Sequence, residues 1–283
     1  GLFLTGNAYY GVGIPESIER AHKTAENFPA FLKTVKKKAV YDHILLVGFG
    51  GPEKTDEVWP FLLEVTRGTN VPEERLKNVL HHYEQVGGKS LYNKYSRKLA
   101  EKIKEINARK GIFLPVFLGM KNWHPFMKDT IVEIKRKGLK KGLALVLAPH
   151  RSEASWEKYI RCVNESLKEA GAEEISYEYL KPWHENPGFI GAQTEEAQKI
   201  LQNLSPEDKK GLHVIFCAHS IPVEMSERSH YAQEFQTSAL LIARELGLSS
   251  WKIAYQSRSG NLRQPWLEPD LRRRDQHPHK LLA

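Results

Sequence analysis

Short apolar runs separated by longer amphipathic stretches organise the chain from residue 42 onward. The runs at 44–49, 113–118, 143–148, 175–180, 212–217 and 251–255 have the length and composition of β-strands. Between them, apolar positions recur every three to four residues at 57–66, 72–84, 93–108, 126–137, 153–170, 191–203 and 232–246. That period puts one apolar stripe on each of seven predicted helices. Strands alternating with helices predict an α/β fold with mostly parallel sheets covered on both faces. The run at 143–148 is nearly all apolar, as a central strand buried on both sides requires. A change of unit near Gly171 predicts two similar halves, 42–170 and 171–270, with a cleft between them.

The two ends break this pattern. Residues 1–28 are Gly-rich and then helix-like, and 29–41 read as a linker with Pro29 and the basic run Lys36-Lys37-Lys38. Residues 271–283 carry Arg272-Arg273-Arg274 and the pair His277 and His279 with no strand or helix period. Metal binding by those two histidines is weighed against a disordered tail, and the tail is expected.

Composition narrows the function class. The chain has 283 residues, 41% hydrophobic and 27% charged, enough for a sizeable core. A net charge of +8 fits acidic partners, from nucleic acid to a carboxylated small molecule. Because the cations lie along helical stretches and no nucleic-acid motif occurs, no nucleic-acid partner is expected. Two cysteines, Cys162 and Cys217, argue against a disulfide framework, a zinc knuckle or an iron–sulfur site. No apolar run reaches the ~18 residues of a membrane span, and no signal peptide is evident, so a cytoplasmic location is expected.

Chemistry-bearing residues cluster where strands should end. Cys217-Ala218-His219-Ser220-Ile221-Pro222 follows an apolar run, and Pro222 prevents a central strand from continuing. His219 therefore sits at the carboxyl end of a strand, where open α/β sheets hold ligands. A histidine there accepts a proton, binds a metal, or satisfies a loop hydrogen bond. Phe49-Gly50-Gly51-Pro52 allows close backbone approach but is not a dinucleotide fingerprint. Gly87-Gly88-Lys89-Ser90 lacks the spacing of a nucleotide phosphate loop and reads as a turn. Met120-Lys121-Asn122-Trp123-His124, Ala148-Pro149-His150-Arg151-Ser152 and Tyr255-Gln256-Ser257-Arg258 follow further strands. Gathered at one sheet edge, such loops suit a flat, apolar, anionic ligand.

In order and spacing, five motifs resemble the ferrochelatase family from about residue 44 to 270. They are Leu45-Leu46-Val47-Gly48-Phe49-Gly50-Gly51-Pro52, Tyr83-Glu84-Gln85-Val86-Gly87-Gly88, Gly119-Met120-Lys121, Cys217-Ala218-His219-Ser220-Ile221-Pro222 and Pro265-Trp266-Leu267. The resemblance implies two Rossmann-like halves facing a porphyrin cleft, and insertion of ferrous iron into a porphyrin in haem synthesis. It implies no tightly bound cofactor: Fe2+ and the porphyrin are substrates. His219 matches the family histidine thought to bind the metal or accept pyrrole protons. Arg67 matches an arginine near the propionates, although Thr66 stands where a second arginine is frequent. His82 and Tyr83 stand where the family often has Arg-Tyr. Ser90, Lys121 and Tyr159 match further porphyrin contacts. Phe49 occupies a position that is tyrosine in some branches, and phenylalanine cannot ligate iron. Cys217 replaces the usual serine or threonine. Leu147-Ala148-Pro149-His150 is closer to the coproporphyrin-using branch, which slightly favours coproporphyrin III over protoporphyrin IX.

Two departures accompany the match. Residues 1–28, through the motif at 1–18, resemble the carboxyl end of a flavin-dependent porphyrinogen oxidase, which predicts an oxidase–chelatase fusion joined by residues 29–41. The family's later Asp-His-x-Glu segment has no counterpart in 271–283, and Glu268 does not replace it. The second half is therefore expected to be incomplete, with an exposed sheet edge, weak iron insertion and partly retained porphyrin binding. The alternatives are a non-catalytic tetrapyrrole-binding fragment and a chelatase acting on sirohydrochlorin or inserting cobalt.

Overall fold

The six-residue strand His43–Gly48 is buried along its whole length, and the molecule is organised around it. A computed structural model describes residues 2–5, 41–210, 212–258 and 264–271. Among these, the strands are β1 (Leu2–Thr5), β2 (His43–Gly48), β3 (Val116–Met120), β4 (Lys141–Val146), β5 (Ser176–Tyr179), β6 (His213–His219) and β7 (Trp251–Gln256). The helices are α1 (Val58–Val65), α2 (Glu73–Gln85), α3 (Tyr92–Arg109), α4 (Met127–Arg136), α5 (Lys158–Glu169), α6 (Pro187–Gln202), α7 (Pro206–Lys210), α8 (Val223–Ser229) and α9 (Tyr231–Glu245). No helix among the described residues is long and apolar enough to cross a membrane.

The strands form two parallel sheets, ordered β3-β2-β4-β5 and β1-β6-β7. Period-two alternation sends Leu45 and Val47 of β2 to one face and Ile44 and Leu46 to the other. The first face packs with Met127, Ile131, Ile134 and Val163 of α4 and α5. The second packs with Leu99, Ala100 and Ile103 of α3. In the other half, Val214 and Phe216 of β6 pack with Ile190 of α6 and Phe235, Ala239 and Ile242 of α9. Within each sheet the strands run parallel, so their carboxyl ends share one edge.

Several expectations are corrected. The run at 113–118 is displaced: the strand begins at Val116, and Phe113 is 81% exposed. Residues 175–180 do not open the second half. They form β5 beside β4, because the chain from β4 through α5 returns to the same sheet. The division between sheets accordingly falls after residue 179 rather than at 171. Residues 153–170 are not one regular helix, since Glu153–Glu157 form a wider π turn before α5. Leu2–Thr5 form a strand that pairs with β6 from Leu2↔His213 to Thr5↔Phe216. The remaining readings for 6–40 and 272–283, including the linker and the disordered tail, lie outside the described residues.

Candidate active site

The loops after β2 and β3 are tied together by one buried amide. Asn93, in the first turn of α3, is fully buried. Its Oδ1 accepts from Gly51 N at 3.1 Å, and its Nδ2 donates to Gly51 O at 2.9 Å and His124 O at 2.8 Å. Both side-chain protons and the carbonyl are used, so the amide orientation is fixed. Lys121 N and Asn122 N add bonds to Gly48 O and Phe49 O, both at 2.9 Å. Gly50 has φ +87°, and a Cβ there would lie 3.0 Å from the Trp123 amide nitrogen. At Gly51 a Cβ would lie 2.7 Å from the Ser90 side chain. The glycines therefore allow the two loops and Ser90 to approach closely.

His219 is the last residue of β6, and its ring is exposed. Nδ1 lies 2.7 Å from Ser220 O. A carbonyl only accepts, so Nδ1 carries the proton and Nε2 keeps a lone pair in the neutral ring. The loop after it is braced from three sides. Ser220 N donates to Gln256 O at 2.7 Å, and Ser220 Oγ donates to Leu267 O at 2.9 Å. Leu267 N donates to Ile221 O at 3.0 Å, and Val223 N to Pro265 O at 3.0 Å. The Tyr231 hydroxyl donates to His219 O at 3.1 Å. Two sequence motifs far apart in the chain are thus one physical unit: Pro265-Trp266-Leu267 holds the His219 turn.

His150, just beyond β4, brings the two halves together. Its Nε2 lies 2.9 Å from Ser238 Oγ on α9. Arg151 N donates to Glu234 Oε2 at 2.6 Å, and Arg228 binds Glu153 through Nε at 2.6 Å and a second nitrogen at 3.0 Å. Burial, aided by the neighbouring His184, holds the His150 ring down to about 3, so it is neutral at pH 7. Burial raises the Glu234 carboxyl; the Arg151 amide and nearby cations only partly offset this. A cavity of about 140 Å³ opens between His150, His219, Cys217 and the α6 and α9 helices. Burial lifts the Cys217 thiol to about 11, so it remains protonated.

The other residues singled out by sequence are differently placed. Phe49 is half-buried, edge-on to Phe61 at 6.2 Å between ring centres. Lys121 is half-buried, with Nζ 2.9 Å from Asn122 Oδ1. Both belong to the loop edge, as does Ser90, whose Oγ accepts from Tyr92 N at 3.1 Å. Tyr83 faces inward from α2 against Phe61, and burial raises its hydroxyl to about 12. Tyr159 is packed in the first core with Trp156 and Val163 and is only 6% exposed. Arg67 and His82 are exposed; Arg67 pairs with Glu64. Asn93, Tyr231, Ser238 and Glu234 were not anticipated.

Comparisons with known proteins agree on one family. The ferrochelatase family model matches residues 41–277. A ferrochelatase of Rhodopirellula baltica is 38% identical over 233 residues, covering 82% of this chain and 66% of its own. A coproporphyrin III ferrochelatase of Streptomyces coelicolor is 33% identical over 249 residues, with coverages of 82% and 66%. Another, of Leifsonia xyli subsp. xyli, is 34% identical over 261 residues, with coverages of 84% and 67%. The chain thus spans about two thirds of the length of the curated relatives it matches.

Proposed function

The chain belongs to the ferrochelatase family, and from that premise we propose that it inserts Fe2+ into a porphyrin in haem synthesis. The carrying observation is His219: exposed at a strand end, with Nδ1 occupied by Ser220 O and Nε2 left as the acceptor. As iron enters the ring, two pyrrole N–H groups release their protons. A neutral imidazole at the porphyrin face accepts such a proton, and the same lone pair suits ferrous iron as an incoming substrate.

Phe49, Ser90 and Lys121 on the glycine-rich loop edge contact the macrocycle in this reading. Tyr83 and Tyr159 support that edge from below, and the exposed Arg67 and His82 reach the carboxylates from its periphery. Coproporphyrin III is the preferred substrate, supported by the Ala148-Pro149-His150 turn and by relatives that are named coproporphyrin III ferrochelatases. A cytoplasmic location and a fused porphyrinogen oxidase complete the proposal; the sequence of residues 1–18 supports the fusion. Anaerobic Fe2+ insertion, followed by the porphyrin's visible bands with coproporphyrin III and protoporphyrin IX, tests the reading. Metallation faster with coproporphyrin is expected. A band shift without metallation of either ring would reject it.

A further inference from the structure

The corner between α8 and α9, from Arg228 to Glu234, touches three parts of the molecule. α8 ends at Ser229 and α9 begins at Tyr231. His230 between them has φ +59°, in the left-handed region that residues other than glycine seldom adopt. That conformation ends one helix and lets the next start at once. Ala232 N donates to Ser226 Oγ at 3.1 Å, which ties the two helices across the corner. Both ends of the corner grip the first half. Arg228 binds both carboxylate oxygens of Glu153, in the π turn after β4. Glu234 Oε2 accepts from the Arg151 amide at 2.6 Å. Between these grips Tyr231 reaches the other way. Its hydroxyl donates to His219 O at 3.1 Å, and its ring stands edge-on to His150 at 6.2 Å.

The His219 carbonyl belongs to the planar peptide unit that also carries Ser220 N. Ser220 N donates to Gln256 O at 2.7 Å. One peptide is thus held at its oxygen by α9 and at its nitrogen by β7. Fixing that plane limits ψ of His219, and the ring is tied to Ser220 O through Nδ1. The β7 grip lies within the same sheet, whereas the Tyr231 grip comes from the corner that holds the first half. We propose that Tyr231 is a positioning residue for His219, and that it transmits the contact between the two halves to the imidazole. A change at Glu153 then alters the aim of His219 by way of the tyrosine hydroxyl. The inference rests on the iron-insertion reading of His219 and adds what sets its orientation.

The test has two arms, and both begin from Glu153→Ala, which removes the grip on Arg228 at a partly exposed carboxylate. In the first, ¹⁵N-labelled histidine rings are followed by NMR without porphyrin or metal. Glu153→Ala is expected to move the His219 signals and leave those of His43 in place. No movement at His219 overturns the proposal. In a chain that also carries Tyr231→Phe, the same change should no longer move them, and an undiminished shift overturns it too. This arm needs no turnover, so it decides the inference even if iron insertion itself fails. Tyr231→Phe keeps the ring and removes the hydroxyl, and circular dichroism checks its fold. If it does not fold, the Glu153→Ala spectrum alone decides. In the second arm, Tyr231→Phe is expected to lower kcat roughly tenfold with porphyrin KM within about twofold, as misalignment of a reacting group does. Adding Glu153→Ala should cost nothing further, because residues acting through one chain of contacts are not additive. Losses that multiply, or a raised porphyrin KM with kcat unchanged, overturn the proposal.

Discussion

His43 and His219 mark opposite ends of parallel strands, and their surroundings differ in every respect that matters for chemistry. His43 opens β2 and is fully buried. Its Nδ1 donates to Asp42 Oδ1 at 2.5 Å, and its Nε2 accepts from the Tyr177 hydroxyl at 3.0 Å. Asp42 in turn accepts from the backbone of Lys140 and Lys141, tying β2 to the start of β4. Both nitrogens are spent, so His43 is an organiser of the sheet. His219 closes β6, has one nitrogen tied and the other open, and is exposed. The same side chain at the amino end holds strands together, and at the carboxyl end keeps one nitrogen open. The difference lies in how many of its two nitrogens the fold consumes.

Substitution separates the two roles. His219→Ala is expected to lower iron insertion at least ~100-fold, as loss of a proton acceptor does. Its melting temperature should stay within a degree or two, because an exposed ring supports little packing. Comparable rates for the two proteins would break the distinction. His43→Leu should behave in the opposite way. It strands the Tyr177 hydroxyl and weakens the Asp42 network, so urea unfolding should show a loss of about 3 kcal/mol. Turnover per folded molecule should be unchanged.

Asn93→Ala falls between these. Gly51 N, Gly51 O and His124 O lose their side-chain partner, which should cost about 2 kcal/mol and raise porphyrin KM several-fold. Denaturation and steady-state kinetics on one preparation check both. Acid sharpens the comparison further. Burial keeps the His43 ring below its ordinary titration range, outweighing the pull of Asp42. Below about pH 6.5 the unfolded chain therefore takes up a proton that the folded chain resists, and stability falls as pH drops from 7 to 5. His43→Gln keeps one donor and one acceptor but does not titrate, so thermal melts should show a shallower slope. The smallest effect is expected at Arg67, an exposed partner of Glu64. Arg67→Ala should change stability by less than ~0.5 kcal/mol and raise porphyrin KM a few-fold.

The same contrast explains what was legible in the sequence. His219 was found because an apolar run, a histidine and Pro222 lie within a few residues of each other, and local pattern suffices to end a strand. The buried run of β4 and the helical stripes were readable for the same reason. His43 lies just before the apolar run at 44–49 and was passed over, since its partner Tyr177 is 134 residues away. Asn93 was missed because its bonds go to backbone atoms 42 and 31 residues distant, which leave no side-chain signature. β5 was assigned to the wrong half because a strand pattern carries no address for its sheet. For Tyr159, only packing reveals that the core surrounds it.

The brace on His219 also has a timing consequence during synthesis. Ser220 is held by Leu267, 47 positions further along the chain. At ribosomal rates of 5–20 residues per second, roughly 2–9 s separate the emergence of the histidine turn from that of its clamp. A nascent chain in that interval carries the imidazole without the segment that aims it. Competence for the reaction would thus be a late event of biogenesis, gained when the second motif closes over the first.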